Sequence, residues 1–196
     1  MKLDIACGQN KQVGFMGVDI AAAPGVDFVF DLEKFPWTQF KDNSVEEVYC
    51  SHYLEHVPNL VKFFDEVWRI CSNGAKVTFL SPYYTSIRAW QDPTHVRPIS
   101  EATFLYTDKN WRISQKLDHY PMQCNFKTEK LTVFFVPPWD KKTEEARQFA
   151  AQHYFNVISD IVVELTVIKD QIEAKSQEKT PEKPEEKSPK KPAVKK

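Results

Sequence analysis

Short apolar runs alternate with turn signals along the first eighty residues of the chain. Residues 2–6, 15–20, 26–32, 45–51 and 75–81 are near-continuous apolar stretches, the pattern of strands buried on both faces of a parallel sheet. Between the last two, Leu60, Phe63, Phe64, Val67 and Ile70 recur at helical spacing over 59–71, and Asn73-Gly74 supplies a stop. This predicts a strand–helix–strand unit. Only residues 9–14 separate the first two runs and 21–25 the next two, whereas a parallel crossover takes about a dozen residues. The usual helices there must be missing or cut to single turns, which leaves one face of the sheet open.

Further along, 116–127 and 130–136 predict an antiparallel hairpin across Thr128-Glu129, with Pro137-Pro138 closing the sheet region. Residues 143–174 lack Pro and Gly, and Ala151, Tyr154, Ile158, Ile161, Leu165, Ile168 and Ile172 recur at alternating threes and fours. That spacing predicts a long helix with a heptad-like seam. At 1.5 Å per residue it reaches roughly 45 Å, longer than a small domain, so it is expected to find a partner helix and make a homodimer. Val157, Val162, Val163 and Val167 widen its apolar face, which offers the alternative of packing along its own domain.

The expected fold class is α/β: a Rossmann-like, mostly parallel sheet with abbreviated helices between the first strands, plus a long C-terminal helix. Residues 1–138 form the domain, 139–174 the helix, and 175–196 a Lys/Glu/Pro tail too poor in apolar residues to repay the entropy of ordering. With 196 residues, 42% of them hydrophobic and 13% aromatic, the chain can bury one sizeable core. Its four cysteines form no CxxC pair and no secretory signal precedes the first run, so a reduced, cytoplasmic chain is expected. No apolar stretch approaches the roughly 20 residues of a membrane helix. Residues 173–196 hold eight Lys against five Glu; removing their +3 from the formal charge of -1 leaves a mildly acidic body near -4. Such a body lacks the basic face of a nucleic-acid binder.

Chemistry concentrates at the ends of the first runs. The first ends in Leu3-Asp4-Ile5-Ala6-Cys7-Gly8-Gln9-Asn10, small residues where a tight turn lets backbone approach a ligand. The second ends in Val18-Asp19, which places a carboxylate to accept hydrogen bonds from both hydroxyls of a ribose. The third ends in Phe30-Asp31-Leu32, a further acceptor suited to the exocyclic amine of adenine. There is no Walker-type Lys-Ser or Lys-Thr, and too few glycines for a pyrophosphate grip. A nucleoside without phosphates fits best, and S-adenosylmethionine is one.

On these residues the chain resembles class I S-adenosylmethionine-dependent methyltransferases, particularly small members related to the type 11 group. Leu3 to Gly8 stand as the first motif, Gly17-Val18-Asp19-Ile20 as the second, and Val26 to Leu32 as the third. Tyr49-Cys50-Ser51-His52-Tyr53-Leu54-Glu55-His56-Val57 and Gly74 to Pro82 continue the likeness over about the first hundred residues. The resemblance implies that Asp4, Ala6, Cys7 and Gly8 wrap the methionine portion of the cofactor, Asp19 with Ile20 the ribose, Asp31 and Leu32 the adenine, and Ser51 and His52 the sulfonium side. Ala6 stands where the family often has Gly, and Asn10 where a further Gly is common; Ala fits there if its backbone angle is negative.

His52-Tyr53-Leu54-Glu55-His56 also matches HxxEH, the inverted zinc-peptidase pattern. That reading needs a stable helix and a third ligand, yet Pro58 restricts the residue before it and 49–51 read as strand. No metal site is therefore expected, and His56 is assigned to the acceptor pocket. Beyond the fifth run, Tyr83, Tyr84, Trp90, Asp92, His95 and Arg97 crowd one loop, where chemistry is more usual than packing. The related methyltransferases carry a similar Asp-Pro-Thr-His stretch in this position. His95 is the candidate base, since imidazole changes charge near neutral pH, with Asp92 orienting it; Arg97 is the candidate clamp for an anionic acceptor, and Tyr83 and Tyr84 candidate stacking faces. A local turn network around Asp92 and His95 is the alternative. The expected function is transfer of a methyl group to a small-molecule or glycan hydroxyl or amine. The alternatives are a catalytically silent nucleoside-binding scaffold and, third, a zinc peptidase.

Overall fold

The computed structural model describes residues 1–169; the expected tail over 175–196 and Ile172 lie outside the described residues. Strands β1 (Lys2–Ile5), β2 (Met16–Asp19), β3 (Val26–Val29), β4 (Val45–Ser51) and β5 (Cys71–Pro82) run parallel. Strands β6 (Phe126–Phe135) and β7 (Ile158–Val167) complete a single sheet in the order β3-β2-β1-β4-β5-β7-β6, with β7 antiparallel to both its neighbours. The order departs from β1 in two directions, toward β2 on one side and β4 on the other. At such a switch point the carboxyl ends of the strands open a crevice, here at the residues following Ile5 and Ser51.

The abbreviated crossovers are present as expected: neither 6–15 nor 20–25 contains a helix. Strand length makes this possible. A four-residue strand is about 13 Å long, and the six residues from 20 to 25 can span about 20 Å when extended, enough to return to the start of the next strand. The cost is crowding at Gly17, where a Cβ would sit 2.5 Å from the Gly25 carbonyl oxygen and 2.8 Å from Cys7 Sγ. Asp27 Oδ2 fastens the crossing by accepting from Gly17 N at 2.7 Å and Lys11 Nζ at 2.9 Å.

Helix α1 (Leu60–Ile70) begins where the Asn59 side chain accepts from Lys62 N at 3.0 Å. It buries Leu60, Phe63, Phe64, Val67 and Ile70 against the sheet, and the Phe64 ring meets Phe79, Phe104 and Phe126 in edge or tilted contacts. The helix ends at Ile70 and β5 starts at once with Cys71. Asn73-Gly74 is therefore no helix stop; it sits in an irregularity of β5, where the register against β4 shifts between Val45 and Glu47. Short helices α2 (Arg88–Gln91), α3 (Glu101–Leu105) and α4 (Lys109–Ser114) follow β5.

Two expectations are overturned. The hairpin across Thr128-Glu129 does not form: β6 runs through both residues as one strand, with a register shift between Thr128 and Lys130. The long helix over 143–174 is also absent. Helix α5 covers only Glu144–His153, opened by the Thr143 side chain, and the chain then turns at Asn156 (φ 60°) into β7. The physical reason lies in Val157, Ile158, Ile161, Val162, Val163, Thr166 and Val167: these β-branched residues favour a pleated strand, and β7 has a neighbour on each edge to pair with. Ile161, Val163, Leu165 and Val167 alternate into the core. The sheet thus does not close at Pro137-Pro138, and the helix expected to carry a homodimer is not there. Among the described residues no helix is long and apolar enough to cross a membrane.

Candidate active site

At the carboxyl end of β1 the backbone turns sharply, with Ala6 at φ 56° and Gly8 at φ 53°. Ala6 therefore occupies the left-handed region rather than the negative angle at which an alanine fits without cost, and stores strain of about 1 kcal/mol. The turn is held by carboxylates. Asp4, 2% exposed, accepts from Gln12 N at 2.6 Å, and burial raises its pKa above the usual carboxylate value. Asp19 accepts from Gly8 N at 2.8 Å through one oxygen and from Ala21 N at 3.0 Å through the other. A carboxylate offers about four acceptor positions, so two remain for hydroxyls. Cys7 is buried, and burial together with Asp4 and Asp19 pushes its thiol up in pKa.

The next tips complete the row. Asp31, just beyond β3, accepts from Glu33 N at 3.0 Å and lies 3.4 Å from Lys34 Nζ, which is largely exposed. Leu32 is buried, its carbonyl accepting from Trp37 Nε1 at 3.1 Å. Ile20 is solvent-exposed beside Asp19. Ser51 ends β4, and His52 follows at φ 54° with its N–H donating to the Leu80 carbonyl at 2.8 Å. The acceptor tips of β1, β2 and β3 thus stand side by side. Their chemistry suits a ribose and an adenine: carboxylates with spare lone pairs, and open space within 4 Å of where a Cβ at Gly8 would be.

Following β4, residues 54–56 form a single 3-10 turn rather than an α-helix. The HxxEH pattern thus lacks the helix a zinc peptidase requires, which removes that reading. His56 instead meets His95 edge to face, ring centroids 4.6 Å apart. His95 Nδ1 lies 3.1 Å from the Ala89 carbonyl oxygen, and its Nε2 lies 3.9 Å from Asp92 Oδ2. The expected direct orientation of His95 by Asp92 is thus replaced by the Ala89 carbonyl. Asp92 Oδ1 accepts from both the N–H and the hydroxyl of Thr94, at 2.8 and 2.7 Å, and these bonds hold its carboxyl below the usual range. Thr94 Oγ1 in turn meets His56 Nδ1 at 3.0 Å. Asp92 therefore acts on His56, through Thr94.

Arg97 is tethered to the β4 side of the site, its Nη2 donating to the Pro58 carbonyl at 2.6 Å. Tyr83 is buried and donates to Glu101 Oε1 at 2.6 Å, a structural engagement that raises its pKa together with burial. Tyr84, packed on Tyr83, is exposed and is the one of the two that faces outward. Two neighbours escaped sequence reasoning. Thr94 is an ordinary residue of a turn motif, and Asp160, bidentate to Arg88 Nη1 at 2.8 and 2.6 Å and 4.0 Å from His52 Nε2, belongs to a segment whose periodicity reads as helix.

The fold defines the class: a Rossmann-like α/β domain of the kind that methyltransferases share. Within the class, residues 3–79 match the type 11 family, described as a methyltransferase domain. Over those residues the chain is similar to that family. Among solved structures, a SAM-dependent methyltransferase from Archaeoglobus fulgidus superposes with TM-score 0.53 at 17% identity, covering 84% of this chain and 85% of that one. The geranyl diphosphate C-methyltransferase of Streptomyces coelicolor A3(2), solved with S-adenosyl-L-homocysteine, gives 0.50 at 12% identity over 85% and 73% of the two chains. The [4+2]-cyclase SpnF gives 0.54 at 11% identity over 86% and 74%. At these identities the likeness is one of fold, and the cyclase illustrates that fold alone does not fix the reaction. No curated protein matches the chain in sequence.

Proposed function

We propose that the chain transfers a methyl group from S-adenosylmethionine to a hydroxyl or amine of a small molecule or sugar, at a site between the strand tips and the 83–97 loop. The observation that carries this reading is the joining of the two halves: the loop returns to the β4 turn, with Val96 N donating to the Glu55 carbonyl at 2.9 Å. His56, the partner of His95, lies four residues beyond His52 on that turn.

Bound S-adenosylmethionine supplies a methyl already activated on a sulfonium, so the protein's part is alignment and, for a hydroxyl or protonated amine, removal of a proton. Asp19 and Asp31 offer acceptors to the ribose hydroxyls and the adenine amine. The left-handed turn at Ala6 and Gly8 lets backbone approach the amino-acid end. His95 is the base: its Nδ1–H is committed to the Ala89 carbonyl, which can only accept, so Nε2 presents the lone pair. Tyr84 offers an exposed ring for the acceptor. Transfer of labelled methyl into pooled hydroxyl and amine compounds tests the reading. Product is expected with wild type, and His95→Ala should lower turnover about 100-fold or more while leaving cofactor affinity nearly intact. Cofactor binding without transfer to any pool would favour the silent scaffold instead.

A further inference from the structure

One ligand atom from each of Glu55, His56 and His95 lies within 4.8 Å of the other two. The hydrogen bonds around the two imidazoles fix their tautomers. The Thr94 hydroxyl donates to Asp92 Oδ1, so toward His56 Nδ1 its oxygen can only accept, and Nδ1 must carry a proton. The Ala89 carbonyl forces the same tautomer on His95. Both rings, when neutral, therefore hold Nδ1–H on an oxygen and present a bare Nε2. That is the arrangement found in metal-binding histidines, where an outer partner fixes ring and tautomer. Glu55 supplies the independent observation. Its side chain is 2% exposed; Oε1 lies 3.4 Å from His52 Nδ1, while Oε2 is buried with no hydrogen-bond partner. A buried carboxylate oxygen left without a partner is costly unless something fills the role.

We propose that Glu55, His56 and His95 form a binding site for a divalent transition-metal ion of the zinc, iron or nickel kind. Two imidazoles and one carboxylate are the donor set such ions prefer, whereas magnesium and calcium select oxygen-only shells. Metal–ligand bonds of about 2.0–2.2 Å require the three atoms to draw together by about 1 Å. Two neutral rings and one carboxylate leave the ion with a net positive charge and open coordination positions. Asp92 Oδ2, 3.9 Å from His95 Nε2, adds a further anion beside the site. The site is separate from the Asp19–Gly8 clasp, and it stands whether or not the chain transfers methyl groups. An occupied site gives the His95 lone pair to the ion in place of a proton; an acceptor hydroxyl at an open position would then be activated by the metal.

The test is titration of the EDTA-treated full chain with zinc and, separately, cobalt, followed by calorimetry and by the visible absorption of cobalt. One ion per chain, a micromolar or tighter Kd and cobalt bands are expected. Affinity should fall at least 10-fold in His56→Ala and in His95→Ala, and about 10-fold in Thr94→Val, which keeps all three ligands but removes the partner that orients His56. His153→Ala, on the remote helix α5, should change nothing, and circular dichroism confirms that each variant is folded. Absence of stoichiometric binding, or binding that survives loss of both His56 and His95, overturns the proposal.

Discussion

Ala6 shows how much a single backbone angle can carry. At φ 56° it holds the turn that aims the backbone at the strand-tip crevice, in a region where Cβ crowds the following carbonyl. Ala6→Gly should raise unfolding free energy by up to about 0.5 kcal/mol, since relief of that strain outweighs the added freedom of the unfolded chain. Urea denaturation checks it, and a loss of stability would place the strain elsewhere. The positions of Asp19 and Asp31 were legible in the sequence, because each follows an apolar run and strand tips need no tertiary knowledge to find. The sign of φ at Ala6 was not, since alanine prefers negative angles and the bonds that hold the turn, among them those from Gln12 to Asp4 and from Gly8 to Asp19, come from residues several places away. The partners of His95 were equally hidden. Sequence proximity pointed to Asp92, three residues away, whereas the Ala89 carbonyl lies closer in space.

Among the elements, β7 was misread for an identifiable reason. Ile158, Ile161 and Leu165 are apolar both at helical spacing and in the strand's buried set, and the absence of Pro and Gly removed the usual arbiters. What decides is the density of β-branched residues and two strands waiting with unpaired edges. Leu165→Ala should cost about 2–5 kcal/mol, because Leu165 is 2% exposed in the middle of the sheet. A cost below about 0.5 kcal/mol in thermal or urea unfolding would contradict its burial. The first four strands, by contrast, were legible, each starting within a residue of its expected run although β3 stops at Val29 rather than at residue 32, since short buried runs bounded by turns have few other readings. The crossovers were also legible, by arithmetic on their length.

For the molecule as a whole, one core lies along the sheet, with the cysteines inside it. Cys7, Cys50, Cys71 and Cys124 are all buried, and burial pushes the Cys71 thiol up to about 12 and raises the other three as well. A thiol whose folded pKa lies above its unfolded value stabilises the fold fully below the unfolded value, and that contribution is lost as pH rises. Stability should therefore fall as pH climbs from about 9 toward 12, the interval between the ordinary and folded values of Cys71. Urea midpoints across that range check this, with Cys71→Ala expected to flatten the decline; an unchanged slope would assign the loss to other groups. Since β7 is paired on both edges, the sequence's expected route to a dimer is closed. The acceptor was not legible at any scale, because its identity depends on pocket shape set by loops that pack from several places in the chain.

The central claim is that the tips of β1, β2 and β3 together grip an adenosyl cofactor. Calorimetric titration with S-adenosylmethionine and S-adenosylhomocysteine tests it most directly, with Asp19→Ala measured beside wild type. One site of micromolar affinity is expected in wild type, weakened by roughly 1–3 kcal/mol in the variant, the usual loss for a charged hydrogen-bond partner. Failure of the wild-type chain to bind either compound, or undiminished affinity in a folded Asp19→Ala, would contradict the account.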